Sequence, residues 1–322
     1  MGRVALATGL AAAVLASLAA MPDADQRLTF RTRLDLVHLG VTVLDRRNTL
    51  IPDLQATDFE IWEDGKKQEI AYFAAGDSQG GDAAAAADLH LGIMLDVSGS
   101  MDEDLRTART AAIKFLNTLG HAKDYTVVDF DTEVRVAQFG PTDFPHLVER
   151  VRSRKAEGYT ALYDAVGVYL DTTSSQQGRK VLVLYSDGGD NSSHMRFSEL
   201  IDLLKAVDVT IYTIGFLEHA GGGRFELRTQ LRQMAEVTGG YFINPTSMKD
   251  IEAAYEKVRD EIAAQYTIGF VSKNAKLDGT WRKVEVRVVK PGTKDLKIRA
   301  RRGYYAPYRP ADKPPVRRGP VR

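Results

Sequence analysis

Three short segments concentrate the oxygen chemistry of this chain. The first, Asp96-Val97-Ser98-Gly99-Ser100-Met101, follows a short apolar run and sets oxygen side chains at i, i+2 and i+4. On a turn leaving a strand these can converge on one hard cation, because magnesium and calcium take carboxylate and hydroxyl oxygens. Taken alone, the spacing is read more simply as a polar helix N-cap, with Ser98 or Ser100 bonding free amides. An EF-hand loop is excluded, since its sixth and twelfth positions would be Met101 and Thr107, where Gly and Glu are required. Two further segments shift the balance toward a cation. Gly158-Tyr159-Thr160-Ala161-Leu162-Tyr163-Asp164 puts a hydroxyl at the start of a helical stretch, and Val181 to Gly188 puts Asp187 at the end of a buried strand.

Composition narrows the alternatives. The chain has no cysteine, which removes disulfides, thiolate zinc sites, iron–sulfur clusters and cysteine nucleophiles. Its six histidines (His38, His90, His121, His146, His194, His219) are scattered without a zinc-clamping spacing, and each is read as structural or surface. Forty-three basic residues balance 43 acidic ones, against a protein whose whole surface tracks nucleic acid, although a local basic patch is compatible with that balance. With 322 residues, 44% of them hydrophobic, the chain has room for about two ordinary globular domains.

The elements that must position these segments follow from periodicity. Leu89–Leu95, Tyr125–Phe130, Glu133–Gln138, Lys180–Tyr185, Val209–Gly215 and Gly240–Ile243 read as strands. Helical spacing marks 105–119, Ala161–Thr172, Phe197–Ala206, Phe225–Val237 and Lys249–Ala264. Strands alternating with such helices predict a doubly wound parallel sheet with an antiparallel edge strand near 133–138. Ligands in that class bind beyond the carboxyl ends of the strands where the winding reverses, which is where Asp96 and Asp187 fall.

On either side the pattern is purely β. Leu36–Leu44, Phe59–Glu63 and Ile70–Phe73 precede the α/β region, with Asp64-Gly65 as a hairpin signal between the last two. Tyr266–Val271, the Val284, Val286, Val288 alternation and the Leu296, Ile298, Ala300 alternation follow it. Neither set makes a stable sandwich alone, so the two are expected to pair as a discontinuous domain of residues 27–75 and 266–307, with residues 88–265 inserted after a Gly/Ala/Asp-rich linker at 76–87. Residues 1–20 read as a secretory signal peptide: Arg3, then Val4 to Leu18 nearly all apolar, then small residues; the competing reading is an uncleaved anchor. Residues 309–322 read as a disordered, basic, proline-rich tail. The mature chain is expected to span no membrane and to be secreted, periplasmic or at the cell surface.

With these residues in place, the sequence resembles the von Willebrand factor type A family, whose metal-ion-dependent adhesion site is D-x-S-x-S followed by a distant Thr and a distant Asp. The resemblance covers about residues 88–264, and Thr160 and Asp187 come 64 and 91 residues after Asp96, in family order. The flanks (Val43-Leu44-Asp45, Phe59 to Lys66, Ser186 to Ser192, Thr238-Gly239-Gly240, Arg301 to Tyr305) are similar to secreted VWFA-related domain proteins first grouped from acidobacterial genomes. The fold so implied is a doubly wound, Rossmann-like α/β domain inserted in a small antiparallel β-sandwich-like domain. The resemblance further implies that Ser98, Ser100 and Thr160 give hydroxyl oxygens to one Mg²⁺ (with Mn²⁺ or Ca²⁺ as substitutes), while Asp96 and Asp187 act directly or through water. A protein ligand then supplies an Asp or Glu carboxylate.

The function expected on this basis is non-enzymatic adhesion or binding. The alternatives are a metal-assisted hydrolase, for which the nearest general base is His194, and a structural envelope component in which the metal only stiffens loops. Smaller features have plain readings. Asp102-Glu103-Asp104 is taken as a solvated helix start favoured by the dipole. Trp62 and Trp281 are taken as core residues of the β domain, Gly221-Gly222-Gly223-Arg224 as a flexible loop, and the sequon at Asn191 as incidental.

Overall fold

Val37, Leu39 and Val41 alternate with the less buried Leu36, His38 and Gly40 and, with Val43, make Leu36–Leu44 a strand, β1, with one face on a core. The structure is a computed structural model, and it describes residues 36–76, 88–102, 104–119, 122–187, 189–217, 223–293 and 295–309. The stretches read from sequence as a signal peptide at 1–20, nearly all of a linker at 76–87 and a tail beyond 309 lie outside the described residues. After β1, Phe59–Glu63 forms β2, and Asp64 and Gly65 turn the chain with φ of 47° and 78°, the positive pair that suits a two-residue hairpin.

The returning strand is Lys66–Gln68, β3, paired Ile61 to Gln68 and Glu63 to Lys66. The sequence reading gave that role to Ile70–Phe73. Instead Ile70–Ala74, β4, leaves for a second sheet, where it pairs antiparallel with residues 267–270. The tight turn fixes the register at once, so only the three residues after it sit opposite β2, whereas Phe73 finds apolar cover against Phe59 and Tyr266, at ring distances of 5.7 and 5.8 Å.

The α/β region runs as β5 (Leu89–Asp96), α1 (Leu105–Thr118), β6 (Asp124–Phe130), β7 (Val134–Phe139), α2 (Phe144–Arg152), α3 (Leu162–Thr172), β8 (Arg179–Ser186), α4 (Phe197–Ala206), β9 (Thr210–Gly215), α5 (Arg224–Val237), β10 (Phe242–Ile243) and α6 (Met248–Ala264). Its sheet has the order β10-β9-β8-β5-β6-β7, parallel except for the antiparallel edge strand β7. Helices α1, α2 and α6 cover one face, burying Phe115, Leu147 and Val258 among others, and α3, α4 and α5 cover the other with Val166, Leu200 and Met234. All eight residues of β5 are therefore buried. Gly92 is needed there, because a Cβ would meet the Tyr169 ring of α3 at 2.4 Å. The short helix α2 has no counterpart in the sequence reading: it begins at Phe144-Pro145 and buries only Leu147 and Val151, too few to show a period.

The chain leaves α6 through Gln265 into β11 (Tyr266–Val271), β12 (Trp281–Val288), β13 (Lys297–Arg299) and β14 (Gly303–Tyr305). Two antiparallel sheets result, β13-β1-β11-β4 and β14-β12-β2-β3, each drawing strands from both sides of the α/β region. They share a core of Leu39, Val41, Leu54, Ile61, Ile268 and Phe270 with Val284 and Tyr304. The outer face of β1 is covered as well: Thr42 donates to Glu261 of α6, which also pairs with Arg299 of β13.

The two tryptophans lie outside this core. With Ile61 and Val284 facing inward, period-two alternation turns Trp62 and Trp281 to the outer face. Trp281 is 39% exposed and meets the Tyr305 ring at 5.1 Å. Trp62 lies under the Arg287 guanidinium at 4.7 Å and donates from Nε1 to Glu60. Arg282 takes the inward position instead, with Glu63 and Ser272 as partners. Among the described residues, no helix is long and apolar enough to cross a membrane.

Candidate functional site

Strand β5 lies between β6 and β8, so the winding reverses at its carboxyl end. Asp96, its last residue, is fully buried there. Its Oδ1 accepts the Ser98 N–H at 2.9 Å, and its Oδ2 accepts the Ser186 hydroxyl, at the end of β8, at 2.5 Å. The loop beyond β5 is tied down by the Val97 N–H on the Phe130 carbonyl and the Gly99 N–H on the Gly158 carbonyl. Ser98 and Ser100 bring their hydroxyl oxygens within 3.2 Å, and Ser100 donates to Asp187 Oδ1 at 3.0 Å. Each hydroxyl has one proton, so Ser98 donates to Ser100.

Thr160 joins this group through its backbone. Its N–H donates to Asn191 Oδ1 at 2.8 Å, and its carbonyl accepts from the Asn191 and Ser192 amides. Gly158, with φ of 76°, makes the sharp approach that lets its carbonyl meet Gly99. The loop after Asp187 also caps α3, since Tyr163 N–H donates to Asp190 and Asp164 N–H to Ser193. All five residues expected from sequence thus sit on three interlocked loops at one end of the sheet: four share side-chain and backbone hydrogen bonds, and Thr160 is held beside them, 3% exposed.

The electrostatics are those of uncompensated negative charge. Burial raises the Asp96 carboxyl above its ordinary range, against hydrogen bonds from Ser186 and Ser98 that lower it. Burial and the nearby Asp96 push Asp187 up to about 7, with Asp104 adding to the effect. Among the described residues neither Asp96 nor Asp187 forms an ion pair with a lysine or arginine. Their neighbours at the end of β6 are treated differently: Asp129 is paired with Arg135, Arg150 and Arg154, and Asp131 with Arg135. Positive charge is therefore present at this end of the sheet yet absent from the Asp96–Asp187 pair, and buried charge of this kind is costly unless paired or bound to a metal.

The acidic run beside the site needs correcting. Asp102 is exposed, Glu103 lies outside the described residues, and Asp104 is 3% exposed rather than solvated. Its carbonyl starts α1 by accepting from Thr107 and Ala108, and its charge bears on Asp187. Sequence reasoning missed this third buried carboxylate because an acidic residue in a first helical turn is ordinarily exposed. It also missed the roles of Ser186 and Asn191. The Ser-Asp-x-x-x-Asn pattern of residues 186–191 carried that signal, but only pairing of β5 with β8 reveals it.

Two carboxylates with three hydroxyls suit a hard, oxygen-seeking divalent cation and offer nothing to a soft one. Among the described residues there is no cluster of three or more His, Asp or Glu that could hold a metal by itself. His194 is turned away from such chemistry: its ring is almost fully exposed, and its Nδ1 and backbone N–H both meet Asp164 Oδ2.

Comparison with known proteins bears on the family. No curated protein matches the sequence. A von Willebrand factor type A from Catenulispora acidiphila is 15% identical, covering 78% of this chain and 74% of its own, with a TM-score of 0.49. The vWF domain of the type V pili tip protein Mfa5 from Porphyromonas gingivalis is 12% identical over 55% of this chain and 95% of its own, with a TM-score of 0.47. The pilus adhesin SpaC from Lactobacillus rhamnosus GG, in its open conformation, is 11% identical over 78% of this chain and 48% of its own, with a TM-score of 0.46. The family model of the von Willebrand factor type A domain matches residues 90–257, just over half of the chain, and spans all three loops described above. On that match, the chain belongs to the von Willebrand factor type A domain family.

Proposed function

We propose that this chain is a non-enzymatic binding module that holds one divalent cation at Asp96, Ser98, Ser100, Thr160 and Asp187 and uses it to grip a carboxylate of a protein partner. The observation that carries the reading is the pair of buried carboxylates, Asp96 and Asp187, without a basic partner among the described residues, beside the Ser98 and Ser100 hydroxyls and with Thr160 buried on the adjoining loop. Mg²⁺ suits this donor set, with Mn²⁺ or Ca²⁺ as substitutes. Bound among mainly neutral oxygens, such an ion stays electrophilic toward a further anionic oxygen. Within this reading Asp96 and Asp187 supply the charge, the three hydroxyls complete the cradle, and Ser186 and Asn191 hold Asp96 and Thr160 in position.

An adhesive role outside the cytoplasm agrees with the signal pattern of residues 1–20. The test is calorimetric titration of Mg²⁺ and Mn²⁺ into wild type and Asp96→Ala. One site in the first and none in the second is expected. Equal affinity in both would overturn the assignment.

A further inference from the structure

Beside the metal loops, between α1 and the segment that follows α2, lies a cleft of about 540 Å³. Among the described residues, five cationic side chains line it, Arg106, Arg109, Arg152, Arg154 and Lys155, against the carboxylate of Asp102. Arg154 spends its charge on Asp129, at 3.2 Å. Among the described residues, Arg109 donates to the carbonyls of Arg152 and Arg154 and its buried Nε has no partner. Arg106, Arg152 and Lys155 are exposed and form no ion pair among the described residues. Among the described residues that line the cleft, four cations thus face Asp102 as the one carboxylate, in a chain whose basic and acidic residues balance overall. Such a concentration of one sign in a concave surface focuses the field and draws anions in.

The walls of this cleft continue the metal loops. One runs from Ser100 through Asp102 to Arg106 and Arg109 on α1. The other runs from Arg154 and Lys155 through Glu157, whose N–H donates to the Val97 carbonyl, and Gly158 to Thr160. A peptide anchored at the metal loops would reach the cleft within a few residues, since an extended chain covers roughly 3.3 Å per residue. We infer that the cleft is a second anion subsite, which takes a further Asp or Glu side chain of the same acidic peptide segment whose first carboxylate meets the cation. The inference rests on the metal-bridged reading above and adds the chemistry of the partner: an acidic stretch rather than an isolated carboxylate. Arginine suits the role, because its planar fork matches a carboxylate in two hydrogen bonds.

The probe is a fluorescein-labelled octaglutamate peptide, with octaglutamine as control, followed by anisotropy on the full chain in Mg²⁺ and in EDTA. Wild type is compared with the double variant Arg106→Glu/Lys155→Glu, both positions being exposed and outside the core. Octaglutamate should bind wild type in Mg²⁺ about tenfold or more tightly than it binds the variant, with a steeper salt dependence. The variant should melt as wild type does and take up Mg²⁺ no more weakly, since removing nearby positive charge cannot repel a cation. Unchanged octaglutamate affinity in a variant that still binds Mg²⁺ would overturn the subsite while leaving the metal reading intact. Absence of Mg²⁺ uptake by wild type would overturn the metal reading, and the two-point ligand with it. A heparin-derived octasaccharide that binds through Arg106 and Lys155 where octaglutamate does not would assign the cleft to a sulfated sugar and overturn the peptide.

Discussion

The Ser100 hydroxyl donates to Asp187 Oδ1 at 3.0 Å, a single bond between two loops that are 87 residues apart in sequence. Ser100 is exposed while Asp187 is not, so the bond sits at the rim of the site. Ser100→Ala should therefore cost the fold only about 1 kcal/mol. It should weaken Mg²⁺ uptake about tenfold, as loss of one neutral ligand would. Calorimetry and a thermal melt of the same sample check both; a large drop in Tm with unchanged Mg²⁺ affinity would make the bond structural only.

Asp96 should behave in the opposite sense. Its carboxylate is fully buried and repelled by Asp187, so Asp96→Asn removes a charge the metal-free fold holds at a cost. In EDTA the variant should be more stable than wild type by about 1–3 kcal/mol, since buried unpaired charge is destabilising on that scale. In Mg²⁺ the order should reverse, because only wild type gains stability from binding. A lower Tm in EDTA would show that the hydrogen bonds from Ser98 and Ser186 outweigh the burial.

Much of this was legible in the sequence because it lies in local patterns. The buried strands ending at Asp96 and Ser186, the amphipathic spacing of α1 and the bare oxygen side chains of the three loops are all visible without a structure. What was hidden depends on long-range register. Trp62 and Trp281 looked like core until the parity set by Ile61 and Val284 turned them outward. Ile70–Phe73 looked like the hairpin partner until the turn at Asp64 and Gly65 used up β2 with Lys66–Gln68. Asp104 and Asn191 belong to the site only because β5 and β8 are neighbours, and no spacing along the chain encodes that.

Glu261 offers a pH test away from the site. It is 3% exposed, accepts from Thr42 and pairs with Arg299, yet burial outweighs those partners and raises its carboxyl above the usual range. A group raised in the folded state holds its proton more tightly there than when unfolded. Its contribution to stability is therefore full below the ordinary glutamate range and is lost as pH rises through the folded value. Wild type should lose Tm relative to Glu261→Gln between pH 5 and pH 8, a window of roughly the ordinary range upward. A gain over that window would mean that Arg299 wins over burial.

The strand pairing makes a prediction about fragments. Apart from the β2–β3 hairpin, the strands before residue 77 pair with partners beyond residue 265: β1 with β11 and β13, β4 with β11, and β2 with β12. A two-stranded hairpin left alone is marginal in water. Residues 1–85 expressed alone should give a poorly dispersed amide spectrum, whereas residues 86–265, which keep their six-stranded sheet and both helical layers, should melt cooperatively. A dispersed spectrum from the first fragment would sink the idea of one discontinuous domain.

Thr160 separates adhesion through a cation from simple stiffening by one. Thr160 is buried on the loop that adjoins the Asp96 and Asp187 loops, and the bonds that hold that loop run through its backbone to Asn191 and Ser192. Thr160→Ala therefore deletes one neutral oxygen without changing charge and without cutting those ties. The sheet core at Ile93, Val183, Leu184 and Ile211 is fully buried and belongs to the helix-covered layers, so the fold should persist, with a loss of about 1 kcal/mol or less. Partner retention on immobilised protein, using the envelope fraction of the native organism, should fall both with EDTA on wild type and with Thr160→Ala in Mg²⁺. Thr160→Ala should melt close to wild type in EDTA, and EDTA should lower the wild-type Tm only as far as the few kcal/mol that binding supplies, with the transition still cooperative. Retention that survives both treatments would rule out a metal-bridged partner, whereas a melt that collapses in EDTA would make the cation a folding element before anything else.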